Sequence, residues 1–156
     1  LKVLFVCAGN ICRSPMAAGY LAQRAAMDGL SHLVVESAGT LGIEAAPAAA
    51  NAVRVAAEHG FDLTRHRSRG LRAHDVATSD LVIAMEQRQV DRIRAAFPGV
   101  HATVTVLRAF ERGPVPSDDA SDLADPVGEA LPAFRSCFRT IRTCVDHLVL
   151  SLKHGS

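Results

Sequence analysis

The sequence has no tryptophan, one tyrosine and six phenylalanines, so aromatic side chains make up only 4% of it. So few rings exclude a single-strand nucleic-acid platform, in which successive bases stack on aromatic side chains. Charge of one sign is also missing: 17 Lys and Arg stand against 16 Asp and Glu, a net charge of +1. No overall field steers the chain towards nucleic acid or a membrane surface. Long apolar runs are absent, none approaching the ~20 residues that span a bilayer. No signal-peptide pattern precedes the first apolar segment. The four cysteines lack the paired Cys-x-x-Cys spacing of a zinc site. They suit a reducing, cytoplasmic setting better than a disulfide framework. With no internal repeat and no long linker, residues 1–156 are expected to form one domain with a sizeable core.

What the chain does have is concentrated near its start, in Val3-Leu4-Phe5-Val6-Cys7-Ala8-Gly9-Asn10-Ile11-Cys12-Arg13-Ser14-Pro15. This reads as a short apolar strand, a tight loop, and a helix entered through Ser14 with Pro15 in its first turn. Such a junction aims several backbone N–H groups at one spot and adds the positive end of the helix dipole. A phosphate-sized anion fits there, cradled by Ala8, Gly9, Asn10, Ile11, Cys12, Arg13 and Ser14. Cys7 lies at the floor and Arg13 at the rim. The same field is expected to depress the pKa of Cys7 and make it a thiolate near neutral pH. A Cys ending a buried strand is ordinarily a small core residue, and Cys-x5-Arg alone occurs by chance. The constellation around them decides: Gly9 takes positive φ without penalty, Asn10 tolerates it next best, and Ser14 can reach the thiolate while capping the helix. Together these predict a phosphoryl-transfer site.

Further along, Met16 to about Met27 reads as an amphipathic helix. His32 to Ser37 reads as a second strand closed by Ser37-Ala38-Gly39-Thr40, which puts Ser37 at a strand's C-terminal end. Pro47 to about His59 is Ala-rich and helical, stopping at Gly60. Asp80 to Met85 is nearly all apolar, as for a strand buried on both faces. A helix from about Gln87 to Phe97 and a strand Thr103–Val106 follow. The last helix runs from about Glu129 to Leu152, with Leu131, Phe134, Phe138, Ile141, Val145, Leu148 and Leu152 as its buried stripe. Cys137 and Cys144 share one helical face and belong in the core. Strands alternating with helices predict a single-domain α/β fold, a doubly wound four-stranded parallel sheet. Arg65, Arg67, Arg69 and Arg72 form a basic stretch without interleaved aromatics, which reads as a solvated loop and not as a nucleic-acid patch.

Cys7-x-Gly-Asn-x-Cys-Arg-Ser-Pro resembles the signature of the low-molecular-weight protein tyrosine phosphatases, and the likeness extends over nearly the whole chain. The resemblance implies a cysteinyl-phosphate intermediate on Cys7, formed with a general-acid Asp and hydrolysed by water, with Arg13 holding the transition state. It needs no metal and no cofactor. Its partners would be a phosphorylated protein or peptide as substrate and inorganic phosphate as product and inhibitor. Ser37, in the family's Ser-Ala-Gly-Thr, would support the loop Asn. His66, within His-Gly-x-Asp-Leu-x-x-His-Arg-x-Arg, would bond Asn10. Cys12, five positions from Cys7, could trap an oxidised Cys7 as a disulfide; the alternative is a buried residue shaping the loop.

The acid is sought between Ser117 and Gly128, where Asp118, Asp119, Asp122 and Asp125 lack the ligand spacing of a calcium loop. Pro126 fixes the chain beside Asp125, and Asp-Pro before the last helix is where the resembling family carries its acid. Asp122 is the nearest rival. The chain departs from the family at the pocket walls. Leu41-Gly42-Ile43-Glu44 and Val127-Gly128 hold no aromatic ring, forgoing stacking worth about 0.5–1.5 kcal/mol. Two alternatives share the fold. Protein arginine phosphatases carry Thr where Ile11 stands. Thiol-coupled arsenate reductases relay oxidation through a Cys pair near the segment of Met85, where this chain has none. A non-catalytic phosphopeptide-binding module would need neither Cys7 nor Asp125.

Overall fold

The computed structural model describes residues 1–154. Apolar β-branched and aromatic residues at 3–6 build the central strand β1 (Lys2–Cys7), in which Val3, Leu4, Phe5 and Val6 are fully buried. β1 pairs in parallel with β2 (Val34–Gly39) on one side and with β3 (Leu81–Ala84) on the other. β4 (Thr103–Val106) pairs in parallel with β3, giving the sheet order β2-β1-β3-β4. The chain leaves β1 one way through β2 and returns the other way through β3. The switch point therefore lies between β1 and β3, where open α/β sheets place their crevice. Cys7 and the residues after Ala84 sit at its lip.

Helix α1 (Arg13–Met27) packs against α2 (Ala50–Glu58) and α5 (Leu131–His154). A short α3 (Ala73–Ala77) precedes β3, and α4 (Gln87–Ala96) packs on β3 and β4. A 3-10 turn at Leu107–Phe110 lies under α5. Tyr20 joins α1 to α5: its hydroxyl donates to Asp146 at 2.6 Å, and its ring meets Phe138 edge-on at 5.5 Å. Phe134, Phe138, Ile141, Val145 and Leu148 are buried with Cys137 and Cys144, while Leu131 and Leu152 are only partly covered. Among the described residues no helix is long and apolar enough to cross a membrane.

Several boundaries move for tertiary reasons. β2 starts later than expected and runs through Gly39, because its pairing with β1 continues to Cys7↔Gly39. Ser37 therefore lies within the strand, two residues before its end. The helix expected from Pro47 begins at Ala50. Pro47 instead bridges Arg67, and Ala46 exchanges backbone bonds with Ser68 through that residue's N–H and hydroxyl. The last helix begins at Leu131 and runs to His154. α3 has too few residues to show a helical period, and its Asp75 is held by Arg72 N–H and Arg69.

Candidate active site

The loop from Cys7 to Arg13 turns tightly because Asn10 adopts φ +58°, while Gly9 keeps negative φ. Asn10 is the residue that tolerates this region best after glycine. It is fully buried, and each of its polar groups is used. Its Oδ1 accepts from Arg69 N–H at 3.0 Å, and its carbonyl accepts from His66 Nε2 at 2.6 Å. Its Nδ2 donates to Ser37 Oγ at 2.9 Å and to Ser14 Oγ at 2.8 Å, and its backbone N–H points at Cys7 Sγ at 3.3 Å. Ser14 Oγ stands 2.9 Å from the same sulfur. Arg69 N–H thus fixes which end of the Asn10 amide faces Ser14, and Asn10 fixes Ser14 as an acceptor on that side. The hydroxyl proton is left for Cys7.

Ser14 was expected to cap α1. The helix starts two residues earlier than that cap implies, at Arg13, with Cys12 as N-cap and no side-chain cap bond, so the Ser14 hydroxyl belongs wholly to Cys7 and Asn10. Burial lowers the His66 imidazole below its ordinary 6.5, against the pull of the Asn10 carbonyl. A neutral ring that donates from Nε2 fits that environment.

Arg13 is 1% exposed, and it is held from behind. Its Nη1 donates to Glu86 Oε2 at 3.1 Å and to the Leu123 carbonyl at 2.7 Å. Its Nη2 reaches Asp125 Oδ2 at 3.4 Å. Nε is buried without a hydrogen-bond partner among the described residues. A buried guanidinium N–H without a partner is costly unless an anion completes it. Asp125 Oδ1 accepts from Val127 N–H at 3.1 Å, and its side chain is about one-third exposed. Asp122, the alternative acid, is committed elsewhere: its Oδ1 takes the Gln87 N–H at the start of α4 at 2.8 Å. Asp118 and Asp119 lie exposed on the same segment.

Cys12 and Cys137 are both buried, and burial pushes each up to about 12. Cys137 lies within electrostatic reach of Arg13 and Asp125, so the buried face of α5 runs beneath the site. No group of His, Cys, Asp and Glu among the described residues could hold a metal ion. Cavities of about 450 and 560 Å³ lie elsewhere, beside Leu1 and Phe110 and beside Arg94 and Asp118.

Glu86, Leu123 and Arg69 were not anticipated from the sequence. Glu86 follows an apolar strand at its C-terminal end and stands three residues before Gln89, the pattern of a helix start beside the crevice. That signal could have found it. The Leu123 carbonyl and the Arg69 N–H are backbone groups that no side-chain pattern marks.

The model of one protein family, the low molecular weight phosphotyrosine protein phosphatases, matches residues 2–156. A probable low molecular weight protein-tyrosine-phosphatase EpsP of Ralstonia nicotianae is 36% identical, covering 92% of this chain and 90% of its own. The solved YwlE arginine phosphatase of Geobacillus stearothermophilus superposes with a TM-score of 0.87 at 32% identity, covering 99% of this chain and 94% of its own. Another YwlE arginine phosphatase structure, a cysteine-to-serine mutant with a phosphorylated active site serine, gives 0.89 at 27% identity, covering 98% and 96%. On the match along nearly its full length, the chain belongs to the low molecular weight phosphotyrosine protein phosphatase family, a cysteine-dependent class of enzymes.

Proposed function

We propose that the protein is a protein-tyrosine phosphatase that works through a cysteinyl-phosphate on Cys7. The Cys7 sulfur attacks phosphorus in line, the S–P bond forms, and the bond to the leaving oxygen breaks. Asp125 gives that oxygen its proton. Water then attacks the phosphoenzyme, passing a proton to Asp125 and releasing inorganic phosphate with the Cys7 thiolate restored. Arg13 and the loop N–H groups hold the equatorial oxygens as charge redistributes. Ser14, Asn10, Ser37 and His66 keep the loop in its anion-binding shape. The observation that carries this reading is the buried, unpartnered Nε of Arg13 in the loop that holds Cys7. Product phosphate inhibits by occupying the same loop.

Cys12 is the partner we assign to an oxidised Cys7, as both thiols are buried in one loop. Burial pushes its thiol up to about 12, so it stays protonated at neutral pH and its attack on an oxidised Cys7 is slow. A reducing, cytoplasmic setting belongs to the same reading, since Cys7 must remain a thiol.

A second substrate, phosphoarginine in protein, is favoured by the aliphatic mouth. Leu41, Ile43 and Val127 are 61%, 40% and 52% exposed, and they would line the alkyl arm of an arginine as readily as a ring. Against it stands Ile11. The test compares kcat/KM for a phosphotyrosyl peptide and a phosphoarginyl peptide, with Cys7→Ser as control. Preference for phosphotyrosine is expected. Preference for phosphoarginine would keep the cysteine chemistry and move the substrate.

A further inference from the structure

We propose that Gln89 is a positioning residue for Arg13, acting through Glu86 and through the end of β3. Gln89 lies in the first turn of α4 and is 3% exposed, an unusual burial for a glutamine. Both ends of its amide are used. Oε1 accepts from the Met85 N–H at 3.0 Å and the Glu86 N–H at 3.1 Å. Nε2 donates at 3.0 Å to Glu86 Oε2, the oxygen that also takes Arg13 Nη1.

The helix start alone does not require this arrangement. Capping needs an acceptor for the free N–H groups, and a glutamate at this position would supply one while favouring the helix dipole. A carboxylate there could accept from the backbone but not donate to Glu86, whereas the Gln89 amide does both. Its donor end pins the Glu86 oxygen that Arg13 meets. Its acceptor end pins Met85, whose carbonyl takes the Leu123 N–H at 2.9 Å. The Leu123 carbonyl in turn takes Arg13 Nη1. Two arms leave Gln89, one through a carboxylate and one through backbone, and both finish on the same guanidinium nitrogen. With Nη1 held twice, the plane of Arg13 is set and Nε is left for the anion. Displacing such a group by about an ångström costs roughly a hundredfold in rate.

The inference rests on Arg13 as the anion-holding residue, so its test carries Arg13→Lys as a control. Gln89→Glu keeps an acceptor for the two N–H groups and replaces the donor with a second carboxylate oxygen. In the full chain, inhibition by orthovanadate is expected to weaken about 10- to 100-fold, with kcat falling alongside. The rate at which neutral iodoacetamide, which does not draw on the anion-holding guanidinium, alkylates Cys7 is expected to stay within about twofold. A merely structural helix cap would lower the melting temperature and leave vanadate affinity unchanged. That result would overturn the proposal.

Carboxylate facing carboxylate could prevent Gln89→Glu from folding, so the same change is also made in a Glu86→Gln background, which removes that repulsion. If Gln89 acts through Glu86, the second substitution adds less than about threefold to the loss from Glu86→Gln alone. Losses that multiply would mean the two residues act separately, and the proposal fails. Should Arg13→Lys itself retain the parent's vanadate affinity, the role of Arg13 is what fails.

Discussion

Ser14 Oγ stands 2.9 Å from Cys7 Sγ, and the orientation of that hydroxyl is settled through Asn10 by the backbone of Arg69. The Cys7 sulfur is thus held by a hydroxyl whose other partner is a buried, oriented amide. Ser14→Ala is expected to lower kcat about 10- to 100-fold, a hydrogen bond to a charged group being worth about 1.5–3 kcal/mol. Steady-state kinetics on p-nitrophenyl phosphate checks it. An unchanged kcat would remove the hydroxyl from the mechanism.

Asp125 and Arg13 meet at 3.4 Å, and Asp125 also accepts the Val127 N–H. Asn can keep that second bond and cannot donate as an acid. Asp125→Asn is therefore expected to depress kcat most for substrates with poor leaving groups, and little for an activated aryl phosphate whose oxygen leaves without a proton. A plot of log kcat against leaving-group pKa reads this as a steeper slope. Equal loss across the series would deny Asp125 the acid role.

Gly39 closes the loop from below. A Cβ there would stand 2.7 Å from the Ala8 carbonyl oxygen and 3.1 Å from Asn10 Cβ, both on the anion loop. Gly39→Ala is expected to cost about 1–3 kcal/mol of stability by overpacking and to lower kcat/KM, because the backbone that must yield carries the phosphate site. Gly113→Ala meets nothing within 4 Å and serves as the control. Matching melting temperatures for the two variants would contradict the expectation.

The His66 ring titrates below its ordinary 6.5 because it is buried. Above that pH both the folded and unfolded chains hold it neutral, and its contribution is intact. As pH falls below 6.5 the unfolded chain takes up a proton that the folded chain resists, so stability is lost from there down to the folded value. His66→Gln keeps a donor for Asn10 without the titration. Its melting temperature is expected to fall less steeply than the parent's between about pH 6.5 and 5. Parallel slopes would mean His66 does not contribute.

The alternating elements and the tight turn after β1 were readable in the sequence, since both depend on local period or turn chemistry, whereas Asp125 was singled out through the family resemblance and the Pro126 beside it. Asn10 and Ser14 were readable as residue types, but their division of labour was not. Which of Gly9 and Asn10 takes the left-handed turn depends on Arg69, His66 and Ser37, which lie far along the chain. Ser37 was expected at a strand end and lies inside β2, because strand length is set by pairing with β1. Arg13 was expected at the rim, and it is buried because Glu86, Leu123 and Asp125 surround it. Contacts of this kind join segments about 70 to 110 residues apart, and no periodicity encodes them.

Tyr20 gives the chain a built-in optical reporter. With one tyrosine and no tryptophan, near-ultraviolet emission comes from a single side chain, and its hydroxyl is bonded to Asp146 across the seam between α1 and α5. A carboxylate so bonded draws the phenolic proton in the excited state and dims the ring. Loss of that seam should therefore brighten the protein, reporting undocking of α5 without any introduced label. A tryptophan placed at Leu41 would then be spectrally alone at the mouth, free to report substrate while Tyr20 reports the frame.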